Sequence, residues 1–186
     1  MIHHTNFSFT EPLTTRAKTK YIVVHHVGKR GSFTVEDIHQ MHLDRKPPMA
    51  GIGYHYYVRK NGEIYEGRPR WKKGAHVNDK VHHYNSVSIG VCFEGDFNYD
   101  TMEDKQLEAS IMLLSMLSLG YGNIDICTHH YLHKDRDCPG KNFPIEELLK
   151  RVHDQKQRFI VLYGDPKEVN YRFLLKMLDK FNCINK

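Results

Sequence analysis

Apolar and polar positions follow one another in short blocks, and most blocks predict one element each. Tyr21-Ile-Val-Val24 is a β-branched run between Lys20 and Gly28 and predicts a buried strand. Thr34 to about Asp44 predicts a helix, with Thr34 at the N-cap and Asp37 three positions on; Pro47-Pro48 ends it. Tyr54–Arg59 and Glu63–Gly67 flank Asn61-Gly62, which predicts a tight hairpin whose two central residues take positive φ. Gly67 to Tyr84 has no period and reads as a long loop, and Val87–Phe93 reads as another strand. Thr101-Met-Glu-Asp104 has the pattern of a capping box, ahead of a helix in which Leu107, Ile111 and Leu114 form a buried stripe. Gly120 and Gly122 stop that helix. Ile124–Thr128 is a short apolar strand, His129 to Asn142 a polar loop around Pro139-Gly140, and Pro144 opens a helix carrying Ile145, Leu148, Leu149 and Val152.

Strands alternating with helices, with one hairpin, imply an α/β fold with a mixed central sheet flanked by helices. The expected domain covers residues 1–157. Residues 158–186 then read as a short C-terminal strand–helix unit: Arg158–Tyr163 as a strand, then a helix opened by Asp165-Pro166 with Val169, Phe173, Met177 and Phe181 on one stripe. Such a unit cannot bury its own faces alone. It either packs on the main domain or begins a second module. No internal repeat or low-complexity stretch occurs.

Composition narrows the classes. Hydrophobic residues make up 40% of the chain, enough for a core, which excludes a disordered reading. The formal charge of +5 favours anionic partners and also suits plain solubility. No run of about 18 apolar residues occurs, so no membrane span is expected. Met1 to Thr10 lacks a basic head followed by an apolar region, so no secretory signal is expected. Cys92, Cys127, Cys138 and Cys183 are widely spaced, with no disulfide framework and no CxxC pair. Histidine is the outlier at 14 residues, with adjacent pairs His25–His26, His82–His83 and His129–His130. Imidazole is the commonest protein ligand for metals.

Three of these residues stand where α/β folds build sites. His25 ends the first strand, His129 ends a later one, and Cys138 follows inside a Pro-Gly loop. Two imidazoles and a thiolate would leave a fourth zinc position open to water. Zinc there would lower the pKa of that water toward about 7 and polarise a carbonyl. The spacing does not establish a site: a lone His at a strand end is more often structural, and a Cys before Pro is usually a small buried hydrophobe.

The order of longer words is more specific. VVHHV, GIGYHYYVRKNGEIYEGRP, GAH, NSVSIGVCFEGDF and THHYLHKDRDCPG follow one another as they do in the type 2 family of N-acetylmuramoyl-L-alanine amidases. The chain resembles that family, which includes amidase-type phage lysozymes and peptidoglycan recognition proteins, from about Tyr21 to about Val152. The resemblance implies the same mixed sheet and one zinc ion held by His25, His129 and Cys138. Cys at the third place is similar to the phage and recognition-protein branch. Neighbours on a strand face opposite ways, so His26 and His130 are left for packing or hydrogen bonding. Tyr54 corresponds to a tyrosine that orients the attacking water or donates to the oxyanion. Arg136 stands where catalytic relatives often carry Lys; its fixed charge suits the same electrostatic role but not proton donation. Lys134 is a substitute for that role or a substrate contact. His76 corresponds to a cleft-wall histidine that contacts substrate, against the simpler reading of a solvated loop His. Asn85-Ser86 reads as a turn, and Cys92 replaces an acidic residue of the Asp branch.

The implied activity is hydrolysis of the amide joining N-acetylmuramic acid to L-alanine in bacterial peptidoglycan. The alternative is a protein that binds peptidoglycan without cutting it; Arg136 favours that reading and the presence of Cys138 opposes it. A regulatory role toward another macromolecule is permitted but not demanded, and nucleic-acid binding has no supporting motif. The expected setting is a phage or prophage endolysin held in the cytoplasm until release, or an enzyme acting on intracellular muropeptides. Residues 158–186 would then be the start of a wall-binding module, a packing appendage or a dimer contact.

Overall fold

Tyr21–His26 (β2) pairs in parallel on both sides, with Ser88–Phe93 (β5) and Asp125–Thr128 (β6). A strand enclosed this way is apolar on both faces, and Ile22, Val23 and Val24 are fully buried. The computed structural model describes residues 2–180, with side chains to 178. The remaining strands are Ile2–His4 (β1), Tyr56–Val58 (β3) and Ile64–Glu66 (β4), and the six form one mixed sheet in the order β1-β4-β3-β5-β2-β6. The helices are Val35–Leu43 (α1), Asp104–Gly120 (α2), His129–Leu132 (α3), Ile145–Tyr163 (α4) and Arg172–Lys180 (α5).

Strand parity sorts side chains into two layers. Ile22, Val24, Ile89, Val91 and Phe93 join the main core beneath α2, α4 and α5. Tyr57 and Cys92 point the other way, into a smaller cluster closed by Val35 and Ile38 of α1. The register that pairs His25 with Cys92 and Tyr57 with Cys92 puts His25 on the α1 side. His26, paired with Phe93, falls on the opposite side.

The N-terminus of α1 forms as its sequence predicts: Thr34 Oγ1 accepts from Asp37 N at 3.1 Å while Asp37 accepts from Thr34 N at 2.7 Å. Other local expectations are corrected. The hairpin has a three-residue connection rather than a two-residue one. Gly62 N donates to Arg59 O and Arg59 N donates to Glu63 O, both at 2.9 Å. Only Gly62 of the central residues has positive φ, at 86°, and a Cβ there would meet the Lys105 carbonyl at 2.7 Å. No capping box precedes α2: Glu103 is the N-cap without a side-chain bond. Its register is set instead by Gln106, whose buried amide donates to Val58 O and Glu94 O. The loop expected from His129 opens with the helical turn α3, and Leu149 is 38% exposed rather than part of a buried stripe.

Arg158–Tyr163, expected as a strand, continues α4 without a break across residue 157. Nothing interrupts helix propagation until Gly164, at φ 103°. The local strand preference therefore loses, and Val161 and Leu162 are exposed at the helix end. The following segment packs on the main domain. Tyr171 Oη donates to Gly164 O at 2.5 Å, and Leu174, Leu175 and Leu178 of α5 are buried, Leu175 against Gly120 of α2. These replace the expected stripe: Val169 and Phe173 are only partly buried, Met177 is exposed, and Phe181 lies outside the described residues. Among the described residues no helix is long and apolar enough to cross a membrane.

Candidate metal centre

Parallel pairing of β2 with β6 sets Val24 opposite Thr128, so the next residues, His25 and His129, emerge side by side. Thr128 caps the turn that carries His129 by accepting from Tyr131 N at 3.0 Å. Cys138 is brought back to them by main-chain bonding: His130 N donates to Cys138 O at 2.8 Å, and the His130 ring donates from Nδ1 to Arg136 O at 2.6 Å. His26 serves the neighbouring loop, its Nδ1 accepting from Phe97 N at 3.2 Å. Both His26 and His130 thus act in loop packing; strand parity accounts for His26, whereas His130 sits in the helical turn α3.

The three donor atoms lie within 4.8 Å of one another, and Cys138 Sγ is 3.7 Å from His25 Nδ1. A tetrahedral zinc with ordinary Zn–N and Zn–S bonds needs an N–S edge of roughly 3.6 Å. The donor set therefore fits such an ion. Burial holds the His25 imidazole well below its usual range, with His129 and His26 as further causes. Burial also lowers His129 to about 4, helped by His133 and Arg136. Both rings are neutral and offer lone pairs. The Cys138 thiol is pushed up to about 12 by burial, opposed by a main-chain bond at His26. Only a cation at the site would hold it as thiolate.

Hydrogen bonding behind His25 fixes which nitrogen faces the other donors. Ser88 Oγ donates to Tyr84 O at 2.7 Å, which leaves its lone pairs for His76 Nε2 at 3.4 Å. His76 then carries its proton on Nε2 and accepts at Nδ1, 2.9 Å from His25 Nε2. His25 therefore donates from Nε2 and turns the Nδ1 lone pair toward Cys138. His76 is 8% exposed with both ring nitrogens partnered by His25 and Ser88, so it is not a solvated loop residue. A metal-ligand imidazole held in this way depends on its partner. His76→Ala should weaken metal binding by about 10- to 100-fold, read by competition with a chelating dye. Unchanged affinity would remove this role.

Tyr54 borders the open side of the donors, its ring 5.2 Å from His25 and 5.3 Å from His42. Burial, then Cys92 and Cys138, raise its phenol well above the usual value, so it stays a proton donor. Beyond it lies a cavity of about 300 Å³ lined by Lys29, Ile38, Met41, His42, Arg45 and Tyr54. Lys29, Met41, His42 and Arg45 are not evident as site residues in the sequence. The available signal is the face of α1 and its end, where Ile38, Met41, His42 and Arg45 recur at helical spacing. Arg136 is exposed on the loop before Cys138, and its charge reaches the donors as one cause of the His129 shift. Lys134 is exposed, with Nζ 5.2 Å from the Tyr131 ring in a cation–π contact.

The family model for N-acetylmuramoyl-L-alanine amidases matches residues 15–141. Peptidoglycan-recognition protein SC1a of Drosophila melanogaster is 30% identical over 146 residues, which cover 75% of this chain and 66% of that protein, just under two thirds of its length. The endolysin of Klebsiella phage KP32 is 29% identical over 124 residues, 63% of this chain and 78% of that protein. Among solved structures, the N-acetylmuramoyl-L-alanine amidase LysC from Clostridium intestinale aligns with TM-score 0.75 and 32% identity, over 82% of this chain and 97% of its own. Drosophila PGRP-LB, at 19% identity, TM-score 0.67, and 78% and 91% coverage, has the same fold.

Proposed function

The chain belongs to the N-acetylmuramoyl-L-alanine amidase family, and from that premise we propose that it is a zinc amidase that cuts peptidoglycan between N-acetylmuramic acid and L-alanine. The carrying observation is the set His25, His129 and Cys138, converging at the C-terminal ends of two adjacent parallel strands beside an open cleft. These residues would hold one zinc ion, which supplies the Lewis acidity that activates water and polarises a carbonyl. Tyr54 keeps its proton and donates to the carbonyl oxygen as negative charge develops there. Arg136 adds permanent positive charge at the loop and cannot supply a proton to the leaving amine. His76 holds the His25 ring in its working orientation. Lys29 and Arg45 make the cleft cationic, which suits the carboxylates of a stem peptide.

Relatives named endolysins support a lytic role on wall peptidoglycan. Relatives named recognition proteins support the second reading, binding without cleavage, but a complete donor set favours hydrolysis. Purified peptidoglycan should release new amino termini and no reducing sugars; chelation should stop release and zinc restore it. New reducing ends would replace the amidase reading with a glycosidase one, and wall binding without release at any zinc level would leave a recognition protein. Tyr54→Phe should lower kcat about 100-fold with zinc content unchanged. A kcat within twofold of the original would take Tyr54 out of the reaction.

A further inference from the structure

A cavity of about 790 Å³ lies away from the metal donors. Its lining includes residues 16–19, which precede β2, and residues 119–122, which precede β6. It therefore opens at the N-terminal ends of the strands whose other ends carry His25 and His129. The length of β2 separates the two by roughly 20 Å.

Its inner wall is built around fixed cations. Arg16 is buried, its Nε donating to Thr19 Oγ1 at 3.0 Å and its Nη2 to Arg70 O at 2.5 Å. Tyr121 hydrogen-bonds to both the Arg16 and Arg70 side chains. The Arg70 guanidinium lies 5.9 Å from the Trp71 ring. Trp71 nevertheless stays 52% exposed at this wall, an unusual position for so large an apolar surface. Lys18, Lys167 and Arg172 also line the cavity, all exposed, and Glu168 is the one acid among the lining residues.

We propose that this cleft is a second binding site, for a chain of sugar or polyol units joined by phosphodiesters. The exposed ammonium and guanidinium groups of Lys18, Lys167 and Arg172 suit phosphate oxygens, while Arg16, whose donors are taken by Thr19 and by the Arg70, Lys72 and Ser88 carbonyls, adds fixed positive charge behind them. The exposed indole and the Tyr121 ring supply flat faces for the C–H surface of a polyol or sugar. One exposed indole gives no run of platforms for consecutive bases, which disfavours a nucleic acid. The site is separate from the proposed hydrolysis. On a wall that carries both polymers, a second attachment point would raise the local concentration of the metal centre at its substrate.

Trp71 is the only tryptophan in the chain, so its fluorescence reports this cleft without turnover. Titrating the full chain with a glycerol phosphate oligomer should give a saturable change in emission that weakens with salt. The double variant Lys18→Glu, Arg172→Glu should bind about tenfold or more weakly, while its release of L-alanine termini from a soluble muramyl peptide stays unchanged. Polyglutamate, a single-stranded oligonucleotide and anionic phospholipid vesicles serve as comparison ligands. The proposal is overturned if the oligomer leaves the emission unchanged, if any comparison ligand binds as tightly at equal charge, or if the variant binds undiminished. Because binding is read at Trp71, failure of the amidase reading leaves this result standing, and the converse also holds.

Discussion

Cys138→Ser should lose stoichiometric zinc and cut the release of amino termini by roughly a thousandfold or more, the scale on which removing one member of a catalytic unit is measured. A serine hydroxyl at this place does not ionise and cannot replace thiolate bonding to zinc. The loop should survive the change, because what fixes it is the bond from His130 N to the carbonyl of residue 138 and the bond from the His130 ring to Arg136 O, not the thiol. The variant can therefore be compared with the parent at equal folding, checked by circular dichroism. His129→Ala should give the same double loss, since it removes a second donor of the same set. His26→Ala should instead lower stability and spare zinc, because that ring faces the Phe97 loop. Full zinc content and full hydrolysis in Cys138→Ser would mean that the metal centre is not the one built by these three residues.

The choice between adjacent histidines shows how far the sequence reaches. A run such as VVHHV declares a strand end, and period-two geometry requires its two histidines to face opposite layers. It does not say which layer holds the chemistry. The resemblance to the amidase family selects His25, and pairing of β2 with β5 and β6 shows the physical basis: its side is the one that also receives Cys92 and Tyr57. Register between distant strands is a long-range property, so residues placed by it alone were out of reach. His76 was singled out by the resemblance, but its contact with His25 was not. Its loop has no period, yet the missing Cβ atoms of Gly74 and Gly90 leave the room its ring fills beside His25, since a Cβ at either would meet that ring at 2.5 Å. Local preference misled where a longer element could absorb it. RFIVLY favours a strand in isolation, but it follows three turns of established helix with no breaker before Gly164, so extending α4 costs no new nucleation. The hairpin failed at a finer level. Asn61-Gly62 marked the turn correctly, and the extra residue Lys60 changed its type.

The buried histidines also make the fold acid-sensitive, and His55, outside the donor set, carries the clearest case. It is fully buried, with Nδ1 accepting from Gly90 N at 2.9 Å. Its proton therefore sits on Nε2 and is donated to Lys72 O at 2.8 Å. Protonating Nδ1 would break the first bond, and burial together with the Arg16 guanidinium, 3.0 Å from Nε2, lowers the ring to about 3. An unfolded histidine takes up its proton near pH 6.5. The unfolded state thus binds more protons between those two values, and the contribution to stability, complete above about pH 6.5, is lost as pH falls toward 3. By pH 4.5 the loss from His55 alone is roughly 3 kcal/mol. For a domain of this size that is a drop in Tm of about 10 °C. His25 and His76, also lowered by burial, act in the same direction, so the metal-free protein should fall further. Bound zinc should offset part of that loss by holding His25 neutral. Carboxylates cannot account for the effect, because their depressed values bring losses only at still lower pH. Thermal melts from pH 7.5 to 4.5, with zinc and with chelator, would measure it. His55→Gln, able to accept from Gly90 and donate to Lys72, should remove about one proton from the slope while lowering Tm at neutral pH. A Tm that stays level down to pH 4.5 would show that the buried imidazoles find compensating partners when charged, and the site would then be far less dependent on their neutrality than its geometry implies.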